Sequence, residues 1–448
     1  MLHQASTSLL SVLSILRNQF TKPGFYNFLI LSIGWIHCNG VRAITEALVA
    51  TGVAGLRHHE AFHRHFSRGS WDPDCIGRMI CLRLPDSLNP IAVLRFVIDD
   101  TLARKVGPCV FGIASHLDAV QSTRSRRVFS FGHCWVVLAV LVQVPFSKRP
   151  WALPVLFRLY RRKVDCDKNG GEFRTKTELA REMVDVALGW TAKRVELALD
   201  SAYCNETVLE NLPDRVVVFG AMRPDAALTA LPKPVEQRRR GRPRVRGARL
   251  PSPKQVADDG TKPWETSSVF IYRRETTVRH KTFDAQWYQV TDQRLLRIVV
   301  VGTEVGTIDF RTFFTTDPTL AATEIISGYG RRWAIECTFR DLKQHLGFAD
   351  SQSRVQRAVE RVAPFVGHLF SLLVIWCIEG GSEICYALLP NRPWYQDKQD
   401  LSFQDILRGA RHVSSPWRIV DPVAKISNFP LIESLIRHRS KDRHKTTP

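Results

Sequence analysis

The run Leu94-Arg95-Phe96-Val97-Ile98-Asp99-Asp100-Thr101 is apolar almost throughout and ends on two adjacent carboxylates. A short apolar run without polar alternation suits a strand buried on both faces of a sheet. Two more follow, Val128–Val144 (long enough to read as two strands) and Leu153–Tyr160. The period then changes. From Thr177 to Leu188 the apolar residues Leu179, Met183, Val186 and Ala187 fall at helical spacing, and Thr177 with Glu178 makes a helix start. A strand, Arg194–Leu199, leads to Asp200, followed by a short helix near Glu206–Leu212 and a strand at Val216–Ala221. Strands first, then strand–helix alternation, predict an α/β sheet whose opening part is antiparallel.

Working outward, residues 1–90 show helix-like spacing and a basic, His-rich patch, Arg57–Phe66, which together predict an N-terminal helical domain. Residues 91–223 hold the sheet just described. Residues 224–317 read as a β-rich insertion, with strands at Ser268–Tyr272 and Leu295–Val301. It is introduced by a basic loop in which Lys233, Arg238, Arg239, Arg240, Arg242, Arg244, Arg246 and Arg249 face a single acid, Glu236. Pro232, Pro234 and Pro243 keep that loop from being helical. Residues 318–390 return to helix, roughly Ala321–Leu346 and then Arg354–Ile378, and 391–448 form an extension with a basic tail, Arg437–Lys445.

Composition narrows the function. The 448 residues carry 63 Lys+Arg against 43 Asp+Glu, a net charge of +20. With 44% hydrophobic residues the chain can bury a core, so wholesale disorder is excluded. The positive surplus favours a polyanionic partner, nucleic acid ahead of an anionic membrane. The ten cysteines include no CxxC pair and read as small buried hydrophobes in a reducing compartment. No signal peptide is evident, and the longest apolar runs, Phe131–Phe146 and Pro364–Ile378, fall short of the ~20 residues of a membrane span. The expectation is a soluble, cytoplasmic protein with no membrane partner.

Three acidic positions could share one site: Asp99-Asp100 at the end of one buried strand, Asp200 at the end of another, and Glu336 on a helix. A carboxylate at a buried strand end is costly unless paired or bound to metal. Such a set makes a hard, oxygen-rich site for Mg²⁺ or Mn²⁺, and two ions can serve phosphoryl transfer. Singly, each Asp is more often a turn or cap residue; the combination is what informs. Around Glu336 stands Tyr329-x2-Arg332-x3-Glu336-x6-Lys343, whose spacings return to nearly one angle at about 100° per residue, so one helix would present all four on one face. The plainer alternative is a solvated charged face with pairs such as Glu336–Arg340.

Tyr329–Gln344, with its Trp333 three residues before Glu336, resembles the Y-R-E-K signature of bacterial insertion-sequence transposases in the DDE, RNase H-like superfamily. Val97-Ile98-Asp99-Asp100-Thr101 resembles that family's first-Asp motif and Ala198-Leu199-Asp200-Ser201-Ala202-Tyr203 its second, while Phe313–Asp317 is similar to the strand before the signature helix. The resemblance spans about residues 55–380. It implies an RNase H-like mixed-sheet catalytic core interrupted by a β-rich insertion, and a catalytic, Mg²⁺-binding set of Asp100, Asp200 and Glu336, with Mn²⁺ able to substitute. Asp100 is preferred to Asp99 because the related motif usually has Asp directly before Thr, and only one of two strand neighbours can face a given ion. Tyr329, Arg332 and Lys343 would contact DNA. The implied activity is cut-and-paste transposition of double-stranded DNA by a homodimer at the bacterial nucleoid. Leu102, where relatives often have Gly, departs from the pattern. A catalytically silent DNA-binding derivative and a structure-specific nuclease are the competing readings.

Lesser motifs carry less. His59-Glu60-Ala61-Phe62-His63 matches the HExxH pattern of zinc proteases, but no downstream third ligand is evident. Arg240-Gly241-Arg242-Pro243-Arg244 resembles an AT-hook, whose arginines lie in a narrow minor groove. Trp287 and Trp333 could stack on a displaced base, with core packing the default for Trp333. His116-Leu117-Asp118 is a weak accessory candidate, and Glu182 and Asp185 read as surface charges.

Overall fold

The computed structural model describes residues 2–84, 88, 93–107, 109–123, 125–232, 245–271, 274–302, 310–394 and 398–418. Its strands are β1 (Val93–Arg104), β2 (Ala114–Leu117), β3 (Phe129–Gln143), β4 (Pro150–Tyr160), β5 (Arg194–Leu199), β6 (Val216–Met222), β7 (Leu228–Thr229), β8 (Arg249–Leu250), β9 (Glu265–Ile271), β10 (Arg274–Gln286), β11 (Leu295–Gly302) and β12 (Arg311–Thr315). Among the described residues all of them join one sheet. Its heart runs β4-β3-β1-β5-β6: the first two pairings are antiparallel, and β1–β5 and β5–β6 are parallel. This is the mixed α/β sheet expected, in an RNase H-like strand order.

One strand expectation changes. Val128–Val144 is not two strands but the single long strand β3, because the run holds no turn residue. Its one glycine, Gly132, serves a close approach: a Cβ there would run into the Ala103 carbonyl of β1. The β-rich stretch between 224 and 317 continues the same sheet. Strand β12 pairs with β6 on one side and β11 on the other, so β11 and β10 carry the core sheet onward. The basic loop at 233–244, with Arg240, Arg242 and Arg244, and the basic tail lie outside the described residues.

The N-terminal part is helical as expected: α1 (Leu2–Ser14), α2 (Lys22–His37), α3 (Ile44–Thr51), α4 (Glu60–Ser67) and α5 (Pro73–Arg83). These helices share one hydrophobic core with the sheet, a cluster that runs from Leu9 to Val413. Between β4 and β5 lie α6 (Lys163–Asn169) and α7 (Lys176–Leu188), and between β5 and β6 the short α8 (Glu206–Leu209). Helix α7 opens with a capping box, Thr175 bonding the Glu178 amide and Glu178 bonding back. Then come α9 (Pro253–Asp258), α10 (Tyr288–Thr291), α11 (Ala322–Gly330), α12 (Trp333–His345), α13 (Gln356–Trp376), α14 (Ser382–Ala387) and α15 (Phe403–Ser414).

Helix α13 ties the two halves together. Arg361 donates to the carbonyls of Phe66, Gly69 and Trp71 at 3.2, 2.6 and 2.6 Å, and its guanidinium lies over the Trp71 ring. Through a π turn at Cys377–Gly381 the helix continues to Ala387, making a stretch of 32 residues apolar enough to cross a membrane by length and composition. Yet 89% of its most apolar window is buried inside the fold, which marks a core helix. Elsewhere α5 meets β4 so closely that a Cβ on Gly77 would collide with the Val155 carbonyl, backbone against backbone. Gly77→Ala is therefore expected to destabilise the protein by about 3 kcal/mol, at the high end for overpacking. Gly40→Ala, with open space around the new methyl, should leave the melting temperature unchanged.

All ten cysteines are free thiols; Cys38, Cys81, Cys134, Cys166, Cys204, Cys377 and Cys385 are buried as expected, whereas Cys75 and Cys109 are exposed and Cys337 is half-buried.

Candidate active site

The parallel pair β1–β5 brings the two Asp-bearing strand ends side by side, with Ile98 opposite Leu199 in register. Alternation along β1 sends Asp99 and Asp100 to opposite faces of the sheet, and their partners differ accordingly. The Asp99 carboxylate accepts from Arg332 at 2.8 Å, and the same guanidinium bonds Glu336 at 2.6 Å. Asp200, whose Oδ1 accepts its own turn's Ser201 amide at 2.7 Å, lies near enough to raise the Asp99 pKa. Burial is the main cause of that rise, to about 7, and Arg332 opposes it.

Asp100 is held on the other face. Its carboxylate accepts from Tyr203 Oη at 2.8 Å, from Lys176 Nζ at 2.7 Å and from the Cys134 thiol at 3.4 Å. Lys176 opens α7, so this carboxylate ties β1 to that helix and to the turn after β5. The residue expected from its place before Thr is Asp100, but the carboxylate that Arg332 joins to Glu336 is Asp99.

The signature segment departs from one continuous helix. Helix α11 ends at Gly330 and α12 begins at Trp333, joined by a tighter turn in which the Arg332 amide donates to Tyr329 and the Ala334 amide to Arg331. Glycines explain the break. Gly328 packs so closely on Phe219 that a Cβ would lie 2.5 Å from its ring, and Gly330 follows. Tyr329 therefore belongs to the first helix, where it stacks on Phe313 with ring centroids 4.4 Å apart and carries Arg332 over its face at 5.7 Å. Lys343, on α12, is partly buried; burial first, then the like charge of Arg104, lowers its pKa, against the opposing pull of Asp118.

Two polar groups that sequence reasoning passed over belong to the site's surroundings. Lys176 gave no signal beyond opening a helix, and Tyr203 stood inside the second-Asp motif without an assigned role. A second network lies beside them: Glu196 on β5 accepts from Arg95 at 2.7 Å and from Arg331 at 3.2 Å, fixing the turn between α11 and α12 to the sheet. Arg340 pairs with Asp341 rather than with Glu336.

The remaining candidates sort by burial. Trp333 is 49% exposed, against the expectation of core packing, whereas Trp287 is buried edge-on to Phe314. Asp118 is buried and ion-paired with Arg104 at 2.6 Å, and His116 lies against the Tyr160 ring, so both are structural. Glu182 is not a free surface charge but a partner of Arg158 at 2.9 Å and of Arg174. In the HExxH segment Glu60 pairs with Arg64 at 2.8 Å on the surface. Among the described residues no three His, Cys, Asp or Glu side chains converge there or elsewhere as a metal cluster.

For a divalent cation, the donor chemistry of Asp99, Asp200 and Glu336 fits, three carboxylates that are all hard oxygen ligands, although in this arrangement they do not converge on one point. Arg332 supplies positive charge there by spanning Asp99 and Glu336.

Residues 16–294 match the family model of the DDE superfamily endonucleases, and the chain belongs to that family. Residues 274–376, which include Glu336, match a second model, described as "Archaeal putative transposase ISC1217". Together the two models cover residues 16–376, from the N-terminal helices through the helix that carries Glu336. No curated protein matches the chain. Among solved structures, a piggyBac transposase in a synaptic complex with hairpin DNA aligns at 10% identity and a TM-score of 0.44, over 94% of this chain and 76% of that one.

Proposed function

We propose that the chain cuts and joins DNA at insertion-sequence ends, with Asp99, Asp200 and Glu336 as its catalytic carboxylates and Asp100 as the residue that positions their strand. The observation that carries this reading is the Arg332 bridge: one guanidinium joins a β1 carboxylate to an α12 carboxylate, with the β5 carboxylate close by. The three acids would hold Mg²⁺, or Mn²⁺ in its place, which when bound activates a water or 3′-OH and stabilises the leaving oxygen. Arg332 orients Asp99 and Glu336. Tyr329 and Lys343 flank them on the signature helices, and with Arg240, Arg242 and Arg244 of the basic loop they would contact phosphates. Residues 1–90 would serve as the DNA-binding region beside the core at 91–223 and 318–390. Bringing two ends together calls for a homodimer, working on double-stranded DNA at the nucleoid.

The test supplies the protein with Mg²⁺, duplexes carrying the gene's own flanking ends and a separate target plasmid. End fragments joined to the plasmid are the expected product. Cut ends without joining would make the chain a structure-specific nuclease, and binding without cutting would make it a silent DNA-binding derivative.

A further inference from the structure

Beyond the carboxylate site, the outer part of the sheet exposes an apolar face that a soluble fold ordinarily covers. Phe129 and Phe131 are each 62% exposed, and Leu117, directly opposite Phe129 across the β2–β3 pairing, is 49% exposed. Residues two apart on a strand point the same way about 6.6 Å apart, so the two rings form one platform. Parity along β3 fixes which face this is. Val137 pairs with Asp99, and the β1–β3 register runs without a shift down to Gly132, so the odd-numbered residues Phe131 and Phe129 share the face of Asp99. They lie six to eight residues along β3 from that pairing, about 20–26 Å at 3.3 Å per residue.

The platform has a charged margin. Arg126 and Arg127 precede Phe129 in sequence, both are exposed, and among the described residues neither side chain has an ion-pair partner. The nearest acid in sequence, Asp118, is buried and taken by Arg104. Unpaired arginines beside exposed flat rings match a polyanion that also offers flat rings. A strand with unpaired bases has that chemistry, because every base has a face on which an aromatic ring can stack. The spacing of the rings is about twice the 3.4 Å rise of a stacked strand, which suits successive bases of a strand drawn out of the duplex.

We propose that Phe129 and Phe131, with Arg126 and Arg127 at their margin, form a stacking platform for unpaired bases of the DNA whose backbone reaches the Asp99 face. The inference rests on the DNA-cutting reading above and adds to it the form of DNA held outside the site.

The experiment measures binding of the full chain to two DNAs that share one duplex end sequence, one blunt and one with a short unpaired 3′ extension. The variants are Phe129→Ala/Phe131→Ala, and Phe129→Tyr/Phe131→Tyr to retain the rings. Because both positions are exposed, the alanine pair should keep the parent melting temperature. The expected result is a loss of about ten-fold or more on the extended DNA, less than about three-fold on the blunt duplex, and recovery with the tyrosine pair. Equal losses on both DNAs, or none on either, would overturn the platform. So would a change from dimer to monomer without DNA, which would assign this face to a second copy of the chain. A parent protein that binds neither DNA would sink the DNA-cutting reading itself, whereas normal end cleavage with unaltered binding by the alanine pair sinks only the platform.

Discussion

Glu336→Gln and Asp200→Asn are each expected to slow cleavage of end DNA by on the order of 10³-fold while leaving DNA binding within about two-fold. The size follows from what each carboxylate would do. Removing a single preorganised electrostatic group from an active site costs about 10²–10³ in rate, and a group that also holds the catalytic ion belongs at the upper end. Both substitutions keep shape and hydrogen-bonding capacity, so folding should survive. Glu336 is only half-buried and Asp200's structural bond is a single contact with its own turn. Glutamine at 336 can still accept from Arg332, so a loss of rate would reflect the missing charge rather than a broken helix. Rates within ten-fold of the parent for both variants would remove these residues from the chemistry.

The second large effect is on stability in mild acid. Four histidines are held neutral by burial: His65 down to about 3, and His37, His133 and His368 down to about 4. Burial is the first cause in each, with the charges of Arg418 and Arg411 added at His37 and of Arg361 at His65. In the unfolded chain a histidine takes its proton near 6.5, so below that pH the unfolded state binds more protons than the folded one. Stability from these four groups is complete above pH 6.5 and is lost as pH falls toward 4. Each costs about 1.4 kcal/mol per pH unit. Asp99, raised to about 7, works in the opposite sense by roughly one such group. The net expectation is a loss of about 3 kcal/mol between pH 6.5 and 5.5, a large share of a stability of ~5–15 kcal/mol. His65 offers the check. Its ring is stacked between Phe20 and Trp71 with no hydrogen-bond partner on Nε2. Phenylalanine there should keep the packing and remove about a quarter of the histidine slope. A melting temperature that does not move between pH 6.5 and 5.5 would contradict the account.

Much of this architecture was legible in the sequence because the strands are buried on both faces. Leu94–Ile98, Leu153–Tyr160 and Arg194–Leu199 are runs that only a covered sheet can use, and each became a strand. What the sequence could not decide depended on the third dimension. Asp99 and Asp100 are indistinguishable until the turn carrying Arg332, at the start of α12, is known to lie on the Asp99 face. The break between α11 and α12 turns on Gly328 meeting Phe219, a contact 109 residues away along the chain that no local pattern records. Lys176, remote in sequence, completes the Asp100 site for the same reason. Exposure was equally hidden: Trp333 and Trp287 are alike in sequence, yet one faces solvent and the other packs on Phe314.

The face of β1 bearing Asp99 is the one we propose to be catalytic. Mg²⁺-dependent cleavage of end DNA by Asp99→Asn and Asp100→Asn, measured side by side at equal folded protein, tests it most directly. Asp99→Asn is expected to be inactive, while Asp100→Asn, which loses the charge paired with Lys176, keeps measurable cleavage. An active Asp99→Asn beside a dead Asp100→Asn would contradict it and return the catalytic role to the carboxylate that directly precedes Thr101.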